Sequence, residues 1–232
     1  MKYQVITIGG ATRDIAFITK EGILIDNHRD VLRQKLLAFE YGAKIKIDRF
    51  YHLFGGGAAN TAVNFATSGF KTACLVTVGK DENGKAIISN LSQHGISTSL
   101  ISLVKDLEST ISFILVAPTG ERIIFTNHST SNYLNITQKE EKILNQAKWL
   151  YITSLAENWL PIMRKIFSLT GPNIAWNPGI LQYRAGLKKI SSFLKRTNVF
   201  CVNKDEAIEL VLSIPAHKKK SLTFFNDVKN LL

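Results

Sequence analysis

The chain has 232 residues, of which 45% are hydrophobic and 20% charged. This composition is ordinary for a globular protein with one large core. No apolar run reaches the roughly 18 residues of a membrane-spanning helix, and the first residues enter a strand-like run without a signal-peptide core. Cys74 and Cys201 each lie in an apolar, strand-like run, which favours two buried packing thiols over a disulfide. We therefore expect a cytoplasmic protein without a membrane partner.

The net charge of +11 is concentrated in the last third of the chain. Residues 161–232 hold 12 Lys and Arg against 4 Asp and Glu. Such a surplus attracts polyanions, either a nucleic acid or a small molecule such as a nucleotide. Because the lysine runs lack interleaved aromatic residues and a nucleic-acid-binding motif, a solvated basic face is the favoured interpretation. A nucleic-acid partner is not expected.

Strand and helix signals alternate along the chain. The first strand is predicted at 3–8. Over 15–53, short apolar pieces at 15–18, 23–25, 45–47 and 50–53 predict small antiparallel strands, with 31–39 ambiguous between helix and strand. Further strands are predicted at 72–78, 149–153, 174–176 and 199–202. Helices are predicted at 60–68, 82–93, 137–147, 158–169, 187–195 and 204–212. A hairpin is predicted at 110–117 and 122–127, around Pro118, Thr119, Gly120 and Glu121. The pattern predicts an α/β fold: a mostly parallel sheet with helices on both faces, plus a small antiparallel β-flap.

The most informative stretch is the run of Gly55, Gly56 and Gly57, which is followed by Ala58, Ala59 and Asn60. Three consecutive glycines let the backbone approach a ligand in conformations that other residues rarely adopt. A glycine-rich loop that enters a helix also leaves N–H donors free to bind hydroxyls, carbonyls or anions. The run matches neither the dinucleotide-binding fingerprint nor the P-loop, and a tight turn without a ligand is the alternative.

In parallel α/β sheets, ligands bind beyond the carboxyl ends of the strands. The sequence places Gly10, Thr12 and Asp14 after the first strand, Asn177 and Pro178 after a later one, and Asn203 and Glu206 after the last. The five histidines show no metal-ligand spacing, and no nucleophile elbow is present. A metallohydrolase or a Ser/His/Asp hydrolase is therefore not expected.

Taken together, these motifs resemble those of the ribokinase-like carbohydrate kinases of the phosphofructokinase-B type. The glycine run with Asn60 is similar to the family's N-terminal signature. The segment Gly79-Lys80-Asp81-Glu82-Asn83-Gly84 is similar to its G-x-D-x-x-G loop, and Asn177-Pro178 is similar to the strand end before its kinase lobe. The resemblance implies ATP-dependent phosphoryl transfer to a hydroxyl of a sugar or nucleoside, with ATP and Mg²⁺ as cofactors. It implies a substrate site formed by Thr12, Asp14, Gly55, Gly56, Gly57 and Asn60.

The resemblance also implies roles for individual residues. Asp14 and Asn60 hold sugar hydroxyls, and Thr12 stands where family members commonly carry Asn or Asp. Asn203 and Glu206 are similar to the N-x-x-E motif, which helps to position Mg²⁺ and phosphate, and no direct metal ligand is expected in this chain. Ribokinase proper has a sugar-contacting glutamate near 153–155; here no carboxylate stands in that register, and Glu157 lies two residues on.

The family pattern divides the chain into an α/β core at 1–14 and 54–212, a β-flap lid at 15–53, and a basic amphipathic tail at 213–232. The flap often pairs two subunits in such enzymes, and the apolar residues of 15–53 favour a homodimer. The family's second signature, G-A-G-D, supplies the general base and a helix N-terminus for the transferring phosphate, and it does not occur in this sequence. We therefore expect a C-terminally truncated kinase without its catalytic base, either an incomplete product or one half of an enzyme whose C-terminal half is a separate chain.

Two other functions remain open. A non-catalytic sugar-binding protein derived from a kinase fits the same motifs. The charge distribution leaves a basic nucleic-acid-binding protein as the weaker alternative. A downstream reading frame that encodes G-A-G-D would distinguish the kinase from the non-catalytic binding protein.

Overall fold

The computed structural model describes residues 2–27, 35–117, 119–127 and 129–217. The segment 218–232, which holds most of the predicted basic tail, lies outside the described residues, as do residues 31–34 of the ambiguous segment and Pro118 of the predicted turn. Within the described ranges, no helix combines the length with the apolar character that crossing a bilayer requires.

The elements follow the predicted alternation of strands and helices. The strands are β1 (Val5–Ile8), β2 (Thr12–Ile18), β3 (Ile23–Asp26), β4 (Lys35–Ala38), β5 (Arg49–Gly55), β6 (Thr72–Leu75), β7 (Thr77–Gly79), β8 (Ser102–Val104), β9 (Ile111–Val116), β10 (Arg122–Thr126), β11 (Trp149–Ile152), β12 (Asn173–Trp176) and β13 (Val199–Phe200). The α-helices are α1 (Gly57–Thr67), α2 (Glu82–Gln93), α3 (Gln138–Asn145), α4 (Trp159–Ser168), α5 (Ile180–Arg184), α6 (Leu187–Leu194) and α7 (Lys204–Leu212), and short 3₁₀ helices lie at Ser131–Tyr133 and Pro215–His217. The bounds of α2 and α7 agree with the prediction, whereas α5 and β8 were not predicted.

Five parallel strands form the core sheet in the order β13–β12–β11–β1–β6. Their register places Thr7 beside Cys74 and Tyr151, and Ile6 beside Leu150. Because successive side chains of a strand point to opposite faces, these two sets lie on opposite sides of the sheet. Apolar residues of α3, α4 and α6 pack on the side of Ile6, and those of α1 and α2 pack on the other side. The predicted parallel sheet with helices on both faces is confirmed.

The two cysteines are free and differ in burial. Cys74 is fully buried in β6, and burial raises the pKa of its thiol to about 12, so it acts as a packing residue as predicted. Cys201 is only half-buried. It follows β13, which pairs only with β12 among the described strands and therefore lies at an edge of the sheet.

A second sheet, here called the flap sheet, contains β2, β5, β9 and β10 in the order β10–β9–β2–β5. Strand β2 pairs antiparallel with β5 and parallel with β9, and β9 forms the predicted hairpin with β10. Strands β3 and β4 form a separate antiparallel pair. The flap sheet therefore contains residues 111–126 as well as residues of the segment 15–53. This was not predicted from the sequence, because the apolar pattern of a strand does not reveal its partner strand.

Two local predictions differ from the structure, and one that was left open is decided by it. Residues 45–47 do not form a strand, and the described part of the ambiguous segment contains strand β4. The strand predicted at 72–78 is divided into β6 and β7, because the two halves have different partners: β6 pairs with β1, whereas β7 pairs with β8. An uninterrupted apolar run gives no signal of such a change of partner.

Candidate functional site

A cleft of about 290 Å³ lies at the carboxyl ends of the core strands. It is lined by Gly10, which follows β1, by Thr12 at the start of β2, and by Gly56 and Gly57 at the start of α1. Residues that follow β11 and β12 also line it. This is the place where parallel α/β sheets bind their ligands. Three of the predicted substrate residues, Thr12, Gly56 and Gly57, line the cleft.

Three chain segments meet so closely at the glycine run that side chains are excluded there. Gly56 has a φ of +91°, and a Cβ atom on it would lie 2.5 Å from the carbonyl oxygen of Gly10. A Cβ atom on Gly57 would lie 2.7 Å from Oγ1 of Thr153, and one on Gly55 would overlap the carboxylate of Asp14. Contacts of this kind require a shift of the neighbouring atoms. The glycines therefore serve first to pack the loops that form the cleft.

The start of α1 offers fewer free donors than the sequence suggested. The N–H groups of Ala58 and Ala59 both donate to the carbonyl oxygen of Gly10, at 3.1 and 3.3 Å, and the N–H of Asn60 donates to Gly56 at 2.9 Å. The expectation that this helix start presents free N–H donors to a ligand is therefore wrong at these three residues. The carbonyl of Gly10 takes the place that an anion would occupy.

Thr12, Asp14 and Gly55 lie together at the junction of the core and the flap sheet. The hydroxyl of Thr12 donates to Oδ1 of Asp14 at 2.6 Å, and Thr12 and Gly55 are register partners. This bond fixes the orientation of the carboxylate. Asn60 is exposed on the first turn of α1 and does not line the cleft. The sugar contacts of these residues remain a prediction.

Asn203 and Glu206 form a reciprocal capping box at the start of α7. The N–H of Glu206 donates to Oδ1 of Asn203, and the N–H of Asn203 donates to Oε2 of Glu206, both at 2.9 Å. Neither residue lines the cleft. Among the described residues, no group of three or more His, Cys, Asp or Glu side chains is placed to hold a metal ion. One carboxylate already engaged with its own helix does not make a Mg²⁺ site, so the role of this pair in positioning Mg²⁺ and phosphate remains a prediction.

Four polar residues to which the sequence analysis assigned no role also line the cleft. These are Ser131 and Asn132 of the first 3₁₀ helix, together with Ser154 and Glu157 after β11. Oδ1 of Asn132 accepts the N–H of Glu157 at 3.1 Å, which joins the two segments. The position of Ser154 directly after a core strand gave a usable signal, whereas nothing in the local sequence marks Asn132.

Asp81, in the segment similar to the G-x-D-x-x-G loop, connects α2 to the strand that enters the flap sheet. Its Oδ1 accepts the N–H of Gly84 at 2.7 Å and the hydroxyl of Ser109 at 2.6 Å, and its Oδ2 accepts the N–H of Ser109 at 2.8 Å. Burial acts to raise the pKa of Asp81, but the hydrogen bonds from Ser109 and Gly84 outweigh it and lower that pKa below its usual value. Both glycines of this motif are tightly packed, because a Cβ on Gly79 would overlap the carbonyl of Leu107 and one on Gly84 that of Gly79.

From Ser109 the connection continues toward the cleft. The neighbouring Thr110 is buried, and its hydroxyl lies 3.3 Å from those of Thr130 and Ser131. The carbonyl of Thr110 also accepts the N–H of Arg13 in β2 at 3.0 Å. The motif around Asp81 therefore holds the base of the flap sheet and, through Thr110, the loop that carries Ser131 into the cleft.

Comparison with known proteins agrees with this architecture. The family model for pfkB family carbohydrate kinases matches residues 21–218, and the chain belongs to that family. Ribokinase of Mus musculus is 29% identical over 173 residues, which cover 72% of this chain and 51% of the mouse protein. The chain spans about half the length of the curated relatives it matches.

Solved structures show the same fold. The structure of Arabidopsis thaliana ribokinase complexed with ribose and ATP superposes with a TM-score of 0.71 at 15% identity, over 99% of this chain and 69% of that one. The Burkholderia thailandensis nucleoside kinase in complex with inosine gives a TM-score of 0.68 at 11% identity, over 89% of this chain and 62% of that one. At such identities the likeness concerns the fold alone, so the substrate has to be argued from the cleft.

Proposed function

We propose that this chain is the substrate-binding part of an ATP-dependent kinase that phosphorylates a hydroxyl of a sugar or nucleoside. The observation that carries the proposal is the convergence of Thr12 and the backbone of Gly56 and Gly57 at one cleft beyond the core strands. Asp14 is not part of the cleft lining, but its carboxylate is held next to it by the hydroxyl of Thr12. Membership in the pfkB family supports the same reaction class.

The geometry suits the binding of hydroxyl groups. Since Thr12 donates to Oδ1 of Asp14, the carboxylate retains acceptor capacity for a substrate hydroxyl, and backbone at Gly56 and Gly57 lines the cleft without side chains. Phosphoryl transfer depends mainly on positioning and on electrostatic stabilisation. The role that we propose for Thr12, Asp14, Gly56 and Gly57 is to position the acceptor hydroxyl. ATP and Mg²⁺ would supply the phosphoryl group and its charge neutralisation. Among the described residues, no group of three or more His, Cys, Asp or Glu side chains is placed to hold the ion.

The test is calorimetric titration of the 232-residue chain with a panel of free sugars and nucleosides. We expect Asp14→Ala to weaken binding of the best ligand by roughly 1.5–3 kcal/mol, the value of a hydrogen bond to a charged group. Asp48→Ala, which removes an exposed carboxylate outside the cleft, should leave the affinity unchanged. Unchanged binding in both Asp14→Ala and Asn60→Ala would show that the substrate site has been assigned to the wrong residues.

We propose that the catalytic base and the nucleotide platform are supplied by polypeptide outside these 232 residues. The absence of a G-A-G-D sequence from the chain and its coverage of about half of its relatives support this. Sequencing the DNA beyond the codon for Leu232, and assaying the chain together with any polypeptide found there, tests it. Substrate binding without phosphoryl transfer in the completed protein would favour the non-catalytic sugar-binding alternative.

The flap sheet is proposed to pair with a second copy of the chain. The register pairs Phe50 with Phe17, and Phe113 with both Ile15 and Phe125, so these side chains share one face of the sheet. Phe50, Phe113 and Phe125 are 64%, 47% and 57% exposed. A contiguous apolar sheet face of this kind is typical of an interaction surface. We also propose that the kinase is cytoplasmic and depends on magnesium. The dimer is tested separately, by the oligomeric state of the chain.

A further inference from the structure

Part of the cleft lining forms an apolar wall. It is formed by Leu155 and Ala156 after β11 and by Ile180 and Leu181 at the start of α5. Ile180 and Leu181 are 46% and 42% exposed, so they present apolar surface to the cleft. A planar aromatic ring can cover more of such a wall than the C–H groups of a free sugar can.

This wall is preformed. Gln182, the next residue of α5, is fully buried. Its Oε1 accepts the N–H groups of Gly179 and Leu155 at 2.8 and 3.3 Å, and its Nε2 donates to the carbonyl oxygen of Leu155 at 2.8 Å. The two-way bonding between Gln182 and Leu155 fixes α5 against the loop after β11. Ile180 and Leu181 are thereby held at the cleft without a change of conformation on binding.

The cleft also lacks a counter-charge for phosphate. Among the described residues that line it, Glu157 is the only one with an ionisable side chain. No Lys or Arg is part of that lining, and at the nearby helix start two of the N–H groups, those of Ala58 and Ala59, are already bonded to Gly10, which leaves Gly57 as the cleft-lining residue at this helix start. Phosphorylated ligands are normally held by cationic side chains or by free N–H groups at a helix start. A carboxylate in their place repels a phosphate.

From these observations we infer that the substrate is an unphosphorylated nucleoside, with its ribose hydroxyls on the side of Thr12 and its base against Ile180 and Leu181. The inference rests on the proposed function and specifies its substrate class. The ribose hydroxyls meet the polar residues of the lining, and a planar base supplies a larger apolar face than the C–H groups of free ribose.

Calorimetric titration of the 232-residue chain with inosine, uridine, ribose, ribose 1-phosphate and fructose 6-phosphate tests this substrate class. We expect a nucleoside to bind at least tenfold more tightly than ribose, and the two sugar phosphates to bind more weakly than ribose. Equal binding of ribose and nucleosides, or preferred binding of a sugar phosphate, would overturn the inference and leave the kinase proposal intact. If none of the five compounds binds, the proposed function and the inference both fail.

A variant separates the apolar wall from the rest of the site. Leu181→Ser should weaken nucleoside binding about tenfold and leave ribose binding unchanged, because it removes one large side chain from contact with the base. Leu103→Ser is the matched control, since Leu103 is 55% exposed on β8 and does not line the cleft. If Ile180 and Leu181 are instead covered by protein in a larger assembly, Leu181→Ser changes neither affinity, and that result also overturns the inference. The ligand panel on the unmodified chain decides the question even if this variant fails to fold.

Discussion

Asp81→Asn tests whether the bonds between Asp81 and Ser109 hold the flap sheet to the core. Asparagine caps helices about as well as aspartate, so the bond to Gly84 at the start of α2 can persist. If the amide oxygen takes the position of Oδ1, however, the amide NH₂ faces the N–H of Ser109, which now donates to Oδ2 at 2.8 Å. One charge-assisted hydrogen bond is lost and two donors oppose each other. We expect the free energy of unfolding to fall by roughly 1.5–3 kcal/mol at pH 7.

The stability loss in Asp81→Asn should depend on pH, in a direction that follows from the pKa of Asp81. The pKa of Asp81 is lowered in the folded chain, chiefly because its hydrogen bonds from Ser109 and Gly84 outweigh the opposing effect of burial. A group of this kind stabilises the folded state above its unfolded pKa of about 3.9, and the contribution is lost as the pH falls through the folded value. The difference in unfolding free energy between the native chain and Asp81→Asn should therefore be full at pH 7 and should shrink below about pH 4.

Urea denaturation followed by tryptophan fluorescence measures the difference, since Trp176 is fully buried in the core. Glu82→Gln is the matched control. It removes a charge from the first turn of the same helix, but the pair that Glu82 forms with Lys85 at 2.6 Å is exposed and screened by water, so its loss should change stability little. If Asp81→Asn lowers stability no more than Glu82→Gln at pH 7, or if its effect is unchanged at pH 3, the proposed role of Asp81 is wrong.

Three further predictions follow from the packing, the flap sheet and the missing signature. Gly84→Ala should lower the free energy of unfolding by about 1–3 kcal/mol although alanine favours helices, because its Cβ would overlap the carbonyl of Gly79. Gly10→Ala, with no atom within 4 Å of its Cβ, should change that free energy little. Equal effects of the two substitutions in urea denaturation would refute the packing argument. Sedimentation at tens of micromolar should show a dimer that Phe125→Ser weakens and Phe70→Ser, outside the flap sheet, does not; a strictly monomeric native chain would rule the dimer out. An ATP-to-ADP assay of the 232-residue chain with Mg²⁺ and a panel of sugars and nucleosides should show no substrate-dependent turnover near the roughly 1–100 s⁻¹ usual for kinases, and turnover at that rate would mean that the chain contains its own base.

Features that depend on neighbouring residues could be predicted from the sequence. The capping box of Thr137 with Glu140 and that of Asn203 with Glu206 both occur in the structure, because each is complete within one helical turn. Alternating apolar runs identified the hairpin of β9 and β10, and the alternation of strands and helices identified the parallel sheet. The position of the cleft followed from the rule that ligands bind at the carboxyl ends of the strands.

Features that join distant segments were decided only by the tertiary structure. The parallel pairing of β2 with β9 joins residues about a hundred positions apart, and no local pattern encodes that choice. Helix α5 is too short to show a helical period, and its place depends on the buried Gln182 and its bonds to Leu155. The glycine run was visible in the sequence, but its reason was not: the space that its side chains would need is filled by Gly10, Asp14 and Thr153, which only the folded chain brings there.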